Sequence, residues 1–156
     1  MSSASGSSFA VRRAGPIFNG YEIGVGLVRF DTSGLPDDAT VSSATLRLYV
    51  LNSTSADNRN LVAEWYPASN WPIGAADWVG TASSSASAGT PLRSLVVSAY
   101  DDLSLSGLSA ISTTGYTGLR LHVSGGQPTG ENNASFASVE AGAATAAQLV
   151  VNYTTS

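Results

Sequence analysis

The stretch of sequence that decides the fold is LVRFDTSGLPDDATVSSATLRLYVL, residues 27–51. In its second half, residues 44–50, every other residue is apolar, and Thr, Arg and Tyr stand between them. This alternation is typical of a β-strand with one buried face. In its first half, Val28 and Phe30 alternate in the same way with outward residues such as Arg29. Glycine, proline and aspartate mark turns between the two halves. The stretch therefore predicts two strands joined by a turn-rich connection.

The composition favours an all-β fold. The chain has 156 residues, enough for one domain with a single core. It contains 16 glycines, and only 12% of its residues are charged, which suits many short strands and turns better than long helices. We therefore predict a single antiparallel β-sandwich, jelly-roll-like, over residues 9–156. A flexible or assembly-ordered arm is predicted at residues 1–8.

Other segments predict further strands of the same sandwich. They lie at residues 9–13, 21–31, 61–66, 92–100 and 116–124, with two last strands around residues 141–146. Gly24 and Gly26 indicate a bulge or a close backbone approach within the second of these segments. We expect one core made of Val28, Phe30, Leu46, Leu48, Val50, Leu119, Leu121, Val123, Leu149, Val151 and Tyr153.

A family resemblance rests on this same framework. The residues RFDTSGLPDDATVSSATLRLYV, 29–50, resemble the signature of DNRLRE domains, which are β-sandwich modules of bacteria, archaea and phages related to a class of carbohydrate-binding modules. The segments GLRL at 118–121, FASVE at 136–140 and QLVVNYT at 148–154 extend the resemblance. The family implies a jelly-roll-like sandwich that serves as an accessory module of a cell-surface or secreted protein, or as part of a virion. It does not imply one ligand.

The charged residues and the absence of cysteine exclude several classes of function. All seven basic residues are arginine and the formal net charge is −4, so no basic field is available to bind the phosphates of a nucleic acid. Without cysteine, disulfides and thiolate metal sites are excluded. No apolar run approaches the ~18 residues of a membrane helix. We expect neither nucleic acid nor a membrane as a partner.

The N-terminal arm, MSSASGSS, has neither the positive region nor the apolar region of a secretory signal. It also has almost no apolar surface to offset the entropy of ordering it. We therefore expect a neighbouring subunit or a larger assembly to order it. The residues predicted to make these contacts are Met1, Ser2, Ser3, Ala4 and Ser5.

We predict no catalytic site and no obligatory cofactor. The single histidine, His122, lies on the outward face of its predicted strand, and no G-x-S-x-G or H-E-x-x-H motif supplies partners for it. The acidic pairs are Asp37 with Asp38 and Asp101 with Asp102. Both adjoin turns, and neighbouring residues of an extended chain point to opposite faces, which does not suit the paired carboxylates of a glycosidase.

The three tryptophans are the candidates for carbohydrate binding, since sugar rings stack on flat aromatic faces. Trp65 lies in a predicted strand, which favours a place in the core. Trp71 and Trp78 lie in a long connection at residues 67–91, and loops of this length are usually functional or disordered. Their rings either bind a sugar or fold back to cap one end of the sandwich.

A calcium site is a weaker alternative at Asp57, Asn58 and Asn60, which offer oxygen ligands at a usable spacing. Arg59 stands between them, and no bidentate glutamate follows at a diagnostic distance. An Asx-rich turn is therefore the preferred interpretation.

Two functions stay open on the sequence. The first is a non-catalytic structural protein on the exterior of a tailed-phage virion, a capsid decoration or tail component, in contact with capsid or tail proteins or with copies of itself. The arm and the missing signal favour it. The second is an extracellular or cell-surface module that binds a polysaccharide, which the family resemblance and the loop tryptophans favour.

Overall fold

A computed structural model describes residues 6–18, 20–74 and 84–156. Over these ranges, two antiparallel sheets pack against each other around one apolar core, which confirms the predicted all-β sandwich. The strands are β1 (Ser8–Ile17), β2 (Gly20–Gly24), β3 (Gly26–Asp31), β4 (Thr40–Ser55), β5 (Asn60–Tyr66), β6 (Ser84–Ser85), β7 (Thr90–Pro91), β8 (Tyr100–Ser104), β9 (Tyr116–Val123), β10 (Asn132–Ala137) and β11 (Gln148–Thr154). Short 3-10 helices lie at Ala68–Asn70, Leu92–Ser94 and Leu108–Ala110.

The two sheets have distinct strand orders. The first runs β11-β4-β10-β1-β2, and β8 also pairs with β4. The second runs β3-β9-β5-β6, and β7 also pairs with β5. Within the described residues, β2 and β3 are therefore edge strands of different sheets. No helix among these residues is long and apolar enough to span a lipid bilayer.

Strand β4 organises the first sheet. It pairs with β11 along residues 40–47, with β10 along residues 50–55 and with β8 along residues 45–49. The apolar half of its alternating sequence faces inward: Leu46, Leu48 and Val50 have no exposed surface. This is the alternation by which the sequence predicted the strand.

The core is largely the predicted one. Phe30, Leu149 and Val151 are partly buried against it. Tyr153 is the error, because 44% of its surface is exposed. It lies near the end of β11 beside a register shift against β4, so its ring extends past the core. The predicted residues that are buried are Val28, Leu46, Leu48, Val50, Leu119, Leu121 and Val123.

The predicted strand at residues 21–31 is in fact two strands. β2 ends at Gly24 in the first sheet and β3 begins at Gly26 in the second, so the chain crosses between the sheets at Val25. A Cβ atom on Gly26 would lie 2.5 Å from Cδ2 of Phe9. The close approach predicted at this glycine is confirmed.

The predicted strand at residues 92–100 is wrong over most of its length. Residues Leu92–Ser94 form a 3-10 helix, and β8 begins only at Tyr100. Leu92 and Leu95 are both buried, a spacing of three that matches a helical turn. Ser98 has a left-handed backbone, with φ of 64°, which interrupts any extended chain.

The end of the predicted arm lies along its own domain. Ser8 already belongs to β1. The Ser138 hydroxyl donates to the Gly6 carbonyl at 2.6 Å, and the Ser138 N–H donates to the Ser7 carbonyl at 2.9 Å. The residues predicted to contact a partner, 1–5, lie outside the described residues.

Candidate functional site

The candidate site starts from a hollow in the outer face of the second sheet. At one level of this sheet, Gly118 on β9 lies between Arg29 on β3 and Tyr66 on β5. Because Gly118 has no side chain, the indole of Trp71 lies over its backbone, and a Cβ atom there would be 3.0 Å from Cζ3 of Trp71. Tyr66 meets the same indole edge to face, with 6.1 Å between ring centroids. The hollow thus fixes the position of Trp71.

Arg29 lies between two aromatic rings beside this hollow. Its guanidinium carbon is 4.3 Å from the ring centroid of Tyr116 and 5.7 Å from that of Trp71, both within the range of cation–π attraction. In the part of the chain that the structure describes, Arg29 makes these contacts and no hydrogen bond or ion pair. These contacts hold the guanidinium in place, and none of the described residues accepts a hydrogen bond from its N–H groups.

A cleft of about 550 Å³ runs along β3 next to these side chains. The residues that line it include Trp71, Tyr116, Val139 and Glu140. Phe9 contributes apolar surface from the first sheet. The volume falls in the range of small-molecule and oligomer-binding sites.

Two acidic side chains, Asp31 and Glu140, line the cleft. Asp31 lies directly across from Tyr116, on the same face as Arg29. Its Oδ1 accepts hydrogen bonds from the Ser33 hydroxyl at 2.6 Å and the Ser33 N–H at 3.0 Å, and these bonds lower the pKa of Asp31. The side chain of Glu140 is exposed. The lining of the cleft therefore combines aromatic rings, a guanidinium and two carboxylates.

The structure separates the three predicted tryptophans. Trp65 is 2% exposed, and its Nε1 donates to the Ser106 carbonyl at 2.8 Å, so its ring belongs to the core and cannot stack on a sugar. Trp71 is half-buried and lines the cleft. Trp78 lies outside the described residues. Of the three predicted ligand contacts, Trp71 is the one that the structure brings to a candidate site.

Sequence reasoning missed Arg29, Tyr116 and Gly118 as members of the site. The alternation of β3 did place Arg29 and Asp31 on the outward face. The missing information was the pairing register of β3 with β9, which sets Tyr116 beside Arg29 and leaves the hollow at Gly118. No local sequence pattern predicts the pairing register of β3 with β9.

Asp57 joins two loops through its carboxylate. Its Oδ2 accepts from the Thr129 N–H at 2.8 Å and from Asn132 Nδ2 at 2.9 Å, and its Oδ1 accepts from the Thr129 hydroxyl at 2.5 Å. Nη2 of Arg59 lies 3.5 Å from Oδ2 of Asp57. The bonds from Thr129, then that from Asn132, lower the pKa of Asp57 to about 2. Both carboxylate oxygens of Asp57, the first candidate calcium ligand, thus already accept hydrogen bonds from the protein.

The other two candidate calcium ligands, Asn58 and Asn60, have structural roles where the chain enters β5. Asn58 has a left-handed backbone with φ of 57°, a conformation that asparagine tolerates. Asn60 begins β5, where its N–H donates to Ser124 Oγ at 3.0 Å. Among residues 6–18, 20–74 and 84–156, no cluster of three or more His, Asp or Glu side chains is placed to hold a metal ion.

The remaining titratable candidates lie apart from the cleft. His122 points outward as predicted, and its Nε2 is 2.8 Å from Glu64 Oε1. Asp102 pairs with Arg47 at 2.9 Å, whereas Asp101 lies across from Leu48 in the sheet. Asp101 and Asp102 therefore occupy opposite faces of β8, as expected for neighbours in a strand.

In comparisons with known proteins, the sequence matches no family model and no curated protein.

Proposed function

We propose that this chain is a non-catalytic module that binds a polysaccharide in the cleft along β3. The observation that carries the proposal is Arg29, which lines the cleft, stacks on Tyr116 next to Trp71, and has no polar partner among the described residues. Cation–π contacts orient a guanidinium while leaving its N–H groups available. Such a group donates to the hydroxyl oxygens of a sugar.

The other side chains of the cleft complement a ligand rich in hydroxyl groups. Tyr116 is 47% exposed, and an exposed aromatic ring offers a face to the C–H groups of a pyranose. Asp31 and Glu140 accept hydrogen bonds from sugar hydroxyls. One guanidinium and two carboxylates leave no excess of positive charge, which favours a neutral glycan over a polyanionic one.

A glycan array compares the binding of the full chain with that of three variants. We expect retention of at least one neutral polysaccharide, and a loss of at least tenfold in affinity for Arg29→Ala and for Tyr116→Ala. Tyr153→Ala is the matched control, because Tyr153 is equally exposed, at 44% against 47%, but lies on β11 of the other sheet. It should bind as the wild type does.

Two array outcomes contradict the proposal. One is the absence of any retained glycan across neutral and acidic panels. The other is retention that Arg29→Ala and Tyr116→Ala leave unchanged, which would place the ligand elsewhere on the protein.

A second candidate function is a structural component of a tailed-phage virion exterior. The observation that favours it is an exposed apolar hairpin made of Phe18, Tyr21 and Ile23, which are 101%, 45% and 38% exposed. Large apolar side chains gathered at a sheet edge mark a contact with another protein. A capsid or tail surface, or a further copy of this chain, fits such a contact.

The virion proposal is tested on particles. We expect the protein in purified virions, and we expect a chain starting at residue 6 to co-sediment less with the particle than the full chain does. Residues 1–5 contribute little apolar surface to the isolated domain, so the melting temperatures of the two forms should agree within a few degrees. Absence of the protein from virions contradicts this assignment. Equal co-sedimentation of both forms contradicts the expected role of the N-terminal arm in attachment.

A further inference from the structure

Strand β2 has an unpaired edge in the part of the chain that the structure describes. It is the terminal strand of the first sheet and pairs with β1 on one side only. The N–H and C=O groups along the other side of an edge strand are a template for another strand. Proteins usually block such an edge with charged side chains, above all lysine, with proline or with a bulge. Gly20–Gly24, whose sequence is GYEIG, contains no lysine or proline and one charge, Glu22, and the register shift of the β1–β2 pair lies beyond it, between Ala14 and Ile17.

The side chains of β2 present an uncharged, apolar surface on one face. Tyr21 and Ile23 lie on the same face of the strand, because side chains alternate along it. Glu22 points to the other face, where the Arg12 guanidinium lies 2.5 Å from its carboxylate. Arg12 also pairs with Glu131 at 2.7 Å, so it offsets part of the charge of Glu22. Phe18, fully exposed just after β1, adds a third apolar side chain at the end of the hairpin.

The sequence of this edge is complementary to itself. When two copies of GYEIG align antiparallel about Glu22, each glycine lies opposite a glycine, and Tyr21 of one copy lies opposite Ile23 of the other. Pairs of an aromatic with a β-branched residue are among the favourable cross-strand pairs. The two Glu22 carboxylates face each other, which is an unfavourable like-charge pair. The Arg12 beside each of them, which also pairs with Glu131, offsets part of the repulsion.

We propose that two copies of this chain pair through β2 across a two-fold axis, so that their first sheets join into one continuous sheet. Such an interface is isologous, since the same strand serves both copies. It covers the apolar hairpin of each copy and provides hydrogen-bond partners for the backbone N–H and C=O groups at the unpaired edge of β2. The proposal does not depend on glycan binding, because the cleft lies along β3 at the edge of the other sheet.

Analytical ultracentrifugation of the full chain over a range of concentrations tests the dimer. We expect a species of twice the chain mass, and we expect Ile23→Lys to weaken dimerisation at least tenfold by placing a charge on the interface. Val150→Lys is the matched control, because Val150 is 41% exposed and lies on β11, the opposite edge of the same sheet. This variant should dimerise as the wild type does.

A second variant separates loss of the interface from loss of the fold. Phe18 is fully exposed, so Phe18→Ser should leave the melting temperature unchanged while weakening the dimer. A wild-type chain that stays monomeric at all concentrations overturns the proposal. It is also overturned if neither β2-hairpin variant weakens the dimer, or if Val150→Lys weakens it as much as Ile23→Lys does.

Discussion

At the scale of single residues, Leu48 shows how burial decides the cost of a substitution. Its side chain has no exposed surface and lies on β4 between strands of the first sheet. We expect Leu48→Ala to lower the free energy of unfolding by about 2 to 5 kcal/mol, through lost apolar burial and the cavity it leaves. Urea denaturation measures this. Leu51→Ala, at a residue that is 42% exposed on the same strand, should cost under about 1 kcal/mol. A similar small cost for both contradicts the register of β4.

Asp57 links the stability of the protein to acid pH. Its pKa is about 2 in the folded chain, below the value near 3.9 of an unfolded aspartate. A depressed pKa means that its stabilising contribution is complete above the unfolded pKa and is lost as the pH falls from about 4 toward 2. We expect Asp57→Asn to be less stable at neutral pH and to show a shallower loss of stability between pH 4 and pH 2. Thermal melts across this range measure it, and parallel pH profiles of both proteins would refute the role of this carboxylate.

The direction of individual side chains could be predicted from the sequence, but their neighbours could not. Alternation placed Val28 inward and Arg29 outward, and the structure agrees. That Arg29 stacks on Tyr116 depends on a pairing between strands some ninety residues apart in the chain. Local sequence patterns give no information about such a pairing. Arg29 was therefore not recognised as a candidate for ligand binding.

At the scale of strands, the crossing between the two sheets depends on Gly26. A Cβ atom there would lie 2.5 Å and 2.7 Å from two ring atoms of Phe9, which is partly buried against the core. We expect Gly26→Ala to lower the free energy of unfolding by about 1 to 3 kcal/mol, because the ring must shift. Gly34→Ala is the control, since nothing lies within 4 Å of its added Cβ. Equal free energies of unfolding for the two variants would show that the crossing accommodates a methyl group at residue 26.

Strands with strict alternation were predictable, and segments with mixed signals were not. β4 and β9 alternate cleanly, so both were found. The ends of β9 were nearly correct, whereas β4 extends from Thr40 to Ser55, well beyond the alternating residues 44–50. In residues 92–100 the β-branched Val96 and Val97 suggested a strand, yet they are 67% and 50% exposed. The spacing of the buried Leu92 and Leu95 was the better signal there, because a turn of helix brings such residues to one side.

At the scale of the whole molecule, composition and alternation were enough to predict an all-β sandwich. They were not enough to predict a cleft, because the cleft forms where the edge strand β3 meets segments that follow strands of both sheets. Val139 and Glu140 come to it from the segment after β10, and Trp71 comes from the segment after β5. This is the reason that a loop tryptophan could be singled out while its binding partners could not.

The measurement that tests glycan binding in the cleft most directly is a two-dimensional ¹H–¹⁵N NMR titration of the full chain. The added ligand is a soluble oligosaccharide of a glycan that the array retains. We predict that the indole N–H signal of Trp71 and the amide signals of Arg29 and Tyr116 shift together with added ligand. The indole signal of Trp65, which is buried and bonded to Ser106, should stay in place. Shifts confined to β2 or β11, or a titration that leaves the Trp71 signal unmoved, would contradict the account.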